Sequence, residues 1–465
     1  MTIKNVLIIV ADDLNDMIEP LGGHPQAVTP NLTRLAAMGL NCLNAAIAAW
    51  ACSPSRIALL YGLAGWRTGA FNNQAMIEDI FPLNQCLSWV GRLRDAGWST
   101  YQCGKVGHTN DPEDWTLMFD PKAEKYDVSF SQAVRDELLS RSFDFGAVPE
   151  GQGELTDEET TRELCETIHR GAEKHLWALG LHRPHFPCVV PQPFIDMIPD
   201  PVSIPPGVTL DANGEFNPQD DAAINAQLAP AVIQRIVNAN RKVPASFKST
   251  GEYLEYVRHY LAAVAYMDSL VGQVLDRLEA CGLLESTLII FTSDNGEQLG
   301  EKQCGRKFTL WDRVVRVPLI IAGPGIAPRN VVDPVSLLDI YATMVDLFGI
   351  TPHAPLDGES LVPLFGGGSM TRPATVTVGA VKNTSDKTCA KARTASHSII
   401  RYWPGSAGAG QCALEVYDHV ADPYEHSNLA AISPRPLETQ ALIDSLLPLL
   451  PATMARAITG DEDEE

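Results

Sequence analysis

The chain has 465 residues, with 35 Lys and Arg against 57 Asp and Glu, a formal charge of −22. Apolar residues make up 45% and charged residues 20%, ordinary globular usage, and a chain this long buries enough apolar surface to fold without disulfides or a structural metal. The acidic balance excludes nucleic acid and an anionic membrane surface as main partners, because both need clustered Lys and Arg.

Val6–Val10 is a short apolar run followed by Ala11-Asp12-Asp13. It is too short for the apolar region of a signal peptide, and no run approaches the roughly 18 apolar residues of a membrane span. The ten cysteines show no C-x-x-C pair and no zinc-type spacing. These features predict a cytoplasmic protein with reduced thiols; a chain whose leader had been removed would read the same. Thr29-Pro30 offers an N-cap and a first helical residue, followed by Leu32, Leu35 and Ala36, with Gly39 as the stop. Ser53 can cap, and Pro54 can open, a helix through Ile57–Tyr61 that Gly62 ends. Ser99–Cys103 precedes Gly104-Lys105, and Trp177–Leu181 precedes His182-Arg183-Pro184-His185. Leu254, Val257, Leu261, Val264, Val271, Leu275 and Leu278 mark the longest helix, from Tyr253 to about Cys281. Leu288–Thr292 precedes Ser293-Asp294-Asn295-Gly296, Pro318–Ala322 precedes Gly323-Pro324-Gly325, and Leu337–Phe348 reads as a helix closed by Gly349.

Apolar runs of this length, with little alternation, read as strands buried on both faces of a parallel sheet. Alternating with helices, they predict an α/β fold with a large, mostly parallel central sheet flanked by helices. Residues 1–366 form this domain, with surface insertions near 128–160 and 199–250 and one helical piece near Ala231–Asn240. After Gly366-Gly367-Gly368 come Thr375–Val381, Ser398–Trp403 and Leu414–Tyr417, strand-like runs that predict a small α+β subdomain, 367–465, with an antiparallel sheet. The final Asp461-Glu462-Asp463-Glu464-Glu465 reads as a solvated tail.

Ligands bind outside the carboxyl ends of strands in open α/β sheets. Those ends carry Asp12 and Asp13, Lys105 with His108, His182 with His185, and Asp294 with Asn295. If the strands are adjacent and parallel, these side chains converge. Asp12, Asp13, Asp294 and Asn295 are hard oxygen donors, suited to Ca²⁺ or Mg²⁺ rather than zinc; the plainer reading of Asp12-Asp13 is a helix cap. No second His and Asp ligand set is evident. Cys52-Ser53-Pro54-Ser55-Arg56 places Cys52 at a helix N-terminus, with Arg56 one turn on. That suggests either a low-pKa thiolate nucleophile or a buried structural cysteine.

C-x-P-S-R resembles the signature of type I sulfatases, in the alkaline phosphatase superfamily, whose cysteine is oxidised to Cα-formylglycine. Asn5–Leu14, Thr29–Gly39, Gly104-Lys105-Val106-Gly107-His108, Thr292–Glu301 and Glu415–Leu429 resemble further segments of that family. His182-Arg183-Pro184-His185-Phe186-Pro187, with Lys307 before Trp311-Asp312, resembles its iduronate-2-sulfatase-like branch, although that branch often has Asp-His where this chain has Asp294-Asn295. The resemblance implies a sulfuric ester hydrolase acting on a small sulfated sugar, alkyl or aryl sulfate. Cys52, as formylglycine, would attack sulfur. Asp12, Asp13, Asp294, Asn295 and Cys52 would hold Ca²⁺, with Mg²⁺ or Mn²⁺ as substitutes. Arg56, Lys105 and Lys307 would offset sulfate charge, His185 or Lys307 would protonate the leaving oxygen, and His108 would take the proton that expels sulfate. His182 would contact substrate, support the site from behind, or serve only as a core or loop histidine. The partners implied are the substrate and a formylglycine-generating maturation enzyme. The rivals are a phosphonate monoester or phosphodiester hydrolase, a non-catalytic anion-binding relative, and a thiolate phosphatase. The acidic body suits a small, singly sulfated molecule better than a dense polyanion.

Overall fold

The computed structural model describes residues 2–81, 84–85, 87–121, 145–148, 154–211, 213–216, 247, 249–380, 387–403 and 413–458. The helical piece expected near 231–240 and the acidic tail lie outside them. The main sheet has strands β1 (Asn5–Asp12), β2 (Gly39–Cys42), β3 (Ser99–Gly104), β4 (Leu117–Phe119), β5 (His175–Pro184), β6 (Thr287–Ser293), β7 (Leu319–Ala322) and β8 (Arg329–Val331). Their order is β8-β2-β7-β6-β1-β5-β3-β4. The four strands expected to bring their ends together are therefore neighbours, and β6, β1, β5 and β3 run parallel.

Every residue of β1 is buried, and its two faces serve two cores. Leu7, Ile9 and Ala11 pack with the apolar side of α4 (Thr250–Ala280). Val6, Ile8 and Val10 share the opposite core with residues of α2 (Cys52–Tyr61) and α5 (Asp339–Phe348). Two-sided burial is why β1 reads as a continuous apolar run. It is also why β7 misleads: its apolar run predicts a parallel strand, yet it pairs antiparallel with both β6 and β2. An apolar run records burial and carries no direction.

Gly39 is not a helix stop. Helix α1 (Pro30–Ala36) ends before it, and Gly39 opens β2, where a Cβ would lie 2.1 Å from the Ile321 carbonyl oxygen. Thr29 occupies the N-cap position without capping through its side chain. Instead Asp268, from α4, accepts the Asn31 and Leu32 N–H groups at 3.0 and 2.8 Å. The expected insertion 128–160 also ends too late. Helix α3 (Thr156–Thr167) packs against β3, β5 and α4, and its polar N-terminal turn gives the segment a loop-like composition.

A separate antiparallel sheet follows: β9 (Thr375–Ala380), β10 (Thr388–Arg393), β11 (His397–Tyr402) and β12 (Ala413–Asp418). Strand β10 was not expected, because it carries Lys391 and Arg393. Both are buried and both pair with Asp312, so the charges that conceal the strand in sequence are partnered in the fold.

Replacing Asp268 with Ala would strand the two N–H groups it accepts, at a cost of about 2–4 kcal/mol. Thermal or urea unfolding should show that loss. Asp276→Ala, which removes a largely exposed partner of Arg34, should change stability by less than about 1 kcal/mol.

Candidate active site

At the end of β1 the pairing with β5 jumps from Ala11–Leu181 to Asp12–Pro184. Asp13 then takes φ +59, a left-handed conformation that Asp tolerates better than most residues. Three groups hold that turn. The Asp13 N–H reaches Asp294 Oδ1 at 3.2 Å, Leu14 N–H reaches Ser293 Oγ at 2.9 Å, and Tyr260 of α4 donates to the Asp13 carbonyl at 2.9 Å. Asp12, Asp13 and Asp294 are thus turned into one buried space. Tyr260 and Ser293 escaped the sequence reading, because neither carries a charge or a metal-ligand pattern.

Cys52 is the first residue of α2, not the residue before it; Ala51 is the N-cap. Ser53 does not cap, since its hydroxyl donates to the Ala75 carbonyl. The helix directs Cys52 Sγ to 3.5 Å from Asp12 Oδ1 and 3.9 Å from Asp13 Oδ1. One ligand atom from each of Asp12, Asp13, Cys52 and Asp294 lies within 4.8 Å of each of the others. The cysteine is not a low-pKa thiolate. Burial pushes its pKa well up, and Asp294 and Asp12 add to that against the pull of Lys307 and Lys105.

Arg56 is fully buried. Its Nε donates to Asp294 Oδ2 at 2.7 Å, and its Nη1 donates to the Lys105 and Val106 carbonyls. Its Nη2 lies 3.5 Å from Asp12 Oδ1. Most of this guanidinium therefore braces the carboxylates and the end of β3. Lys105 Nζ donates to Asp12 Oδ2 at 2.6 Å, and Lys307 Nζ to Asp13 Oδ1 at 2.7 Å and Cys52 Sγ at 2.8 Å. Burial opposes charge on all these groups. Lys105, His185 and Arg56 nevertheless hold Asp12 well below the usual carboxylate range, and Lys307 and His185 hold Asp13 down. Asp294 behaves differently. Burial, with Asp12 and Asp13 alongside, outweighs Arg56 and leaves it at about 6.

His182 Nδ1 stands 3.8 Å from Asp12 Oδ2, and His185 Nε2 stands 3.5 Å from Asp13 Oδ2. Enclosure keeps both rings below the ordinary histidine pKa. His185 Nδ1 lies 2.7 Å from the Phe186 carbonyl, which fixes the proton there and turns Nε2 toward the carboxylates. With Asp12, the two rings form a second group that could hold an ion, contrary to the expectation of no such set. Lys105 already donates to the shared Asp12 oxygen, so that position is supplied with positive charge. Asp157 of α3 holds the histidine segment from below, accepting the His182 and Arg183 N–H groups at 2.7 and 2.9 Å. It lies in what reads as an insertion, so sequence gave no sign of it. His108 is solvent-facing at the rim, with no hydrogen bond to the cluster among the described residues. Partial enclosure, then the Lys105 and Arg56 charges, push its pKa down.

The donor set fits a divalent cation. Three buried carboxylates converge, and Asn295 completes the ring through its Nδ2, which donates to Asp13 Oδ1 at 2.6 Å. Its Oδ1 is buried without a hydrogen-bond partner. A cation would satisfy that oxygen once the amide turned about its axis.

A model of the sulfatase family matches residues 4–350. A sulfatase of Formosa agariphila is 29% identical over 97% of this chain and 87% of its own length. A choline-sulfatase of Rhizobium meliloti is 28% identical, covering 94% and 84%, and human iduronate 2-sulfatase is 30% identical, covering 69% and 60%. Among solved structures, the phosphonate monoester hydrolase of Agrobacterium radiobacter superposes with a TM-score of 0.75 at 22% identity, over 96% of this chain and 95% of that one. That likeness shows a shared fold. Its match to the family model across the catalytic α/β region shows that the chain belongs to the sulfatase family, a family of metal-dependent hydrolases of sulfate esters.

Proposed function

We propose that the protein hydrolyses a sulfate monoester of a small alcohol, with Cys52 converted to Cα-formylglycine and one Ca²⁺ held by Asp12, Asp13, Asp294 and Asn295. The observation that carries this reading is the placement of Cys52 Sγ among three carboxylates. A protonated thiol is a poor ligand for a hard cation, whereas an oxygen at the same point completes an all-oxygen set. Conversion of Cys52 supplies that oxygen. Mg²⁺ or Mn²⁺ would meet the same donors.

With both groups in place, the hydrated aldehyde supplies a nucleophilic oxygen and the cation supplies charge that stabilises the sulfate oxygens. The chain's own residues do the rest. Arg56 fixes Asp294 and Asp12 in orientation. Lys105 and Lys307 donate to Asp12 and Asp13; with those carboxylates engaged as ligands, the two ammonium groups would be available to the sulfate oxygens. His185 presents Nε2 to the same space and, with Lys307 as the second candidate, would protonate the leaving oxygen as the imidazolium, both ring nitrogens carrying protons. His182, packed against it at 4.9 Å between ring centroids, orients it. His108, at the rim with a depressed pKa, is unprotonated near neutrality and serves as the base that releases sulfate.

Mass spectrometry of the tryptic peptide ending at Arg56, from a host that generates formylglycine, should show the aldehyde at Cys52. An intact thiol in fully active protein would refute the mechanism. Cys52→Ala should reduce turnover of an aryl sulfate to background. Choline sulfate, sulfated monosaccharides, an aryl sulfate and an aryl phosphonate monoester should be compared directly; preference for the phosphonate would transfer the site to the rival reaction.

Cation affinity should depend on pH with a defined sign. Asp294 must lose its proton to act as a ligand, and its pKa is about 6. Calorimetric affinity for Ca²⁺ should be level above that pH and fall up to about tenfold per pH unit below it. Asp294→Asn should abolish the high-affinity site.

A further inference from the structure

The C-terminal sheet does more than cover the catalytic domain. Lys307 sits in a chain segment of unusual backbone. Lys302, Gln303, Arg306 and Phe308 all have positive φ, from +50 to +71. Such conformations persist only where surrounding contacts enforce them. The enforcing contacts come from β10 and β12 and the turn after them. Lys302, buried, donates to Tyr417 Oη at 2.9 Å and lies 4.4 Å from the Trp311 ring centroid. Trp311 Nε1 and Tyr417 Oη both donate to Glu415 Oε2, each at 2.9 Å. Asp312 is held by Lys391 at 2.5 Å and by the Arg393 guanidinium at 2.8 to 3.0 Å. The Asp312 N–H donates to Glu425 Oε2 at 2.8 Å. The strained segment is thus gripped on both sides of Lys307, at Lys302 and at Trp311-Asp312. A cavity of about 130 Å³ behind it, lined by Asp16, Lys302, Trp311, Arg313 and Glu425 among others, gives the segment room to relax if the grip is lost.

We propose that the C-terminal sheet is a positioning clamp for Lys307: Glu415, Tyr417 and the Asp312–Lys391–Arg393–Glu425 network hold the 302–312 segment on the path that brings the Lys307 ammonium to Cys52. Glu415 and Tyr417 are positioning residues, since they touch neither Cys52 nor the carboxylate ring. The role assigned to Lys307 in turnover rests on the reaction proposed above; its placement by the clamp does not.

Trp311→Phe and Tyr417→Phe each delete one donor to Glu415 and keep an aromatic ring. Two readouts apply, the rate of Lys307 acylation by an amine-reactive reagent, followed by peptide mass spectrometry, and kcat and KM for an aryl sulfate. In the combined variant Lys307 should label about tenfold faster while Lys105 does not change, the size expected of one lost coupling. Turnover should fall, and adding Lys307→Met should cost little more. Unchanged Ca²⁺ affinity would show that the fold and carboxylate ring survive; should the combined variant not fold, Tyr417→Phe alone should give a smaller acceleration of the same sign. Lys307 labelling as slow as in the wild type would overturn the clamp. So would a Lys307→Met loss that multiplies in full on the variant background. Faster labelling in a protein whose wild type turns over no sulfate ester would leave the clamp standing and remove the reaction instead.

Discussion

Three buried carboxylates within reach of one another are the constraint on which the rest of this structure depends. Like charges so close in a low-dielectric interior repel strongly, and neighbouring strands β1 and β6 force Asp12, Asp13 and Asp294 together. The chain compensates with three cations from separate elements: Arg56 from α2, Lys105 after β3 and Lys307 from the clamped segment. Their three positive charges match the three carboxylates. A divalent cation makes the same site positive by two, enough to attract a sulfate monoester carrying a single negative charge. An acidic protein can therefore take an anionic substrate, because the surface charge and the site charge are set independently.

That balance also explains why the cysteine is unsuited to act as it stands. Among carboxylates and away from water, a thiolate is the wrong species, and burial keeps the proton on sulfur. A reactive cysteine needs a net positive, partly exposed setting. On the reaction proposed above, the aldehyde hydrate would supply a neutral group that ligates through oxygen.

Much of the site was legible in the sequence because its residues follow strand ends. Asp12, Lys105, His182 and Asp294 each close an apolar run, and parallel neighbours bring run ends together. Supporting residues were not legible for a physical reason. Asp157, Tyr260, Asp268 and Glu415 act through hydrogen bonds to residues distant in sequence, and no local pattern records such a partner. Element type was readable where burial was uniform, as in β1 and α4. It failed where charges were buried in pairs, as in β10, and strand direction failed at β7, where apolar character is the same either way.

The strain around Lys307 brings these observations together. Lys307, unlike Lys105, does not follow a strand of the main sheet, so strand pairing there does not fix its place. It needs a segment that is held firmly but from outside the catalytic sheet. The grip from β10 and β12 meets that need, because it fixes the segment at Lys302 and Asp312 and leaves the ammonium between them to answer the local charge. The buried ion pairs that do this are poor sources of net stability. Their value lies in specifying one backbone path among several of similar energy, which is what a charge placed to within a hydrogen-bond length of Cys52 requires.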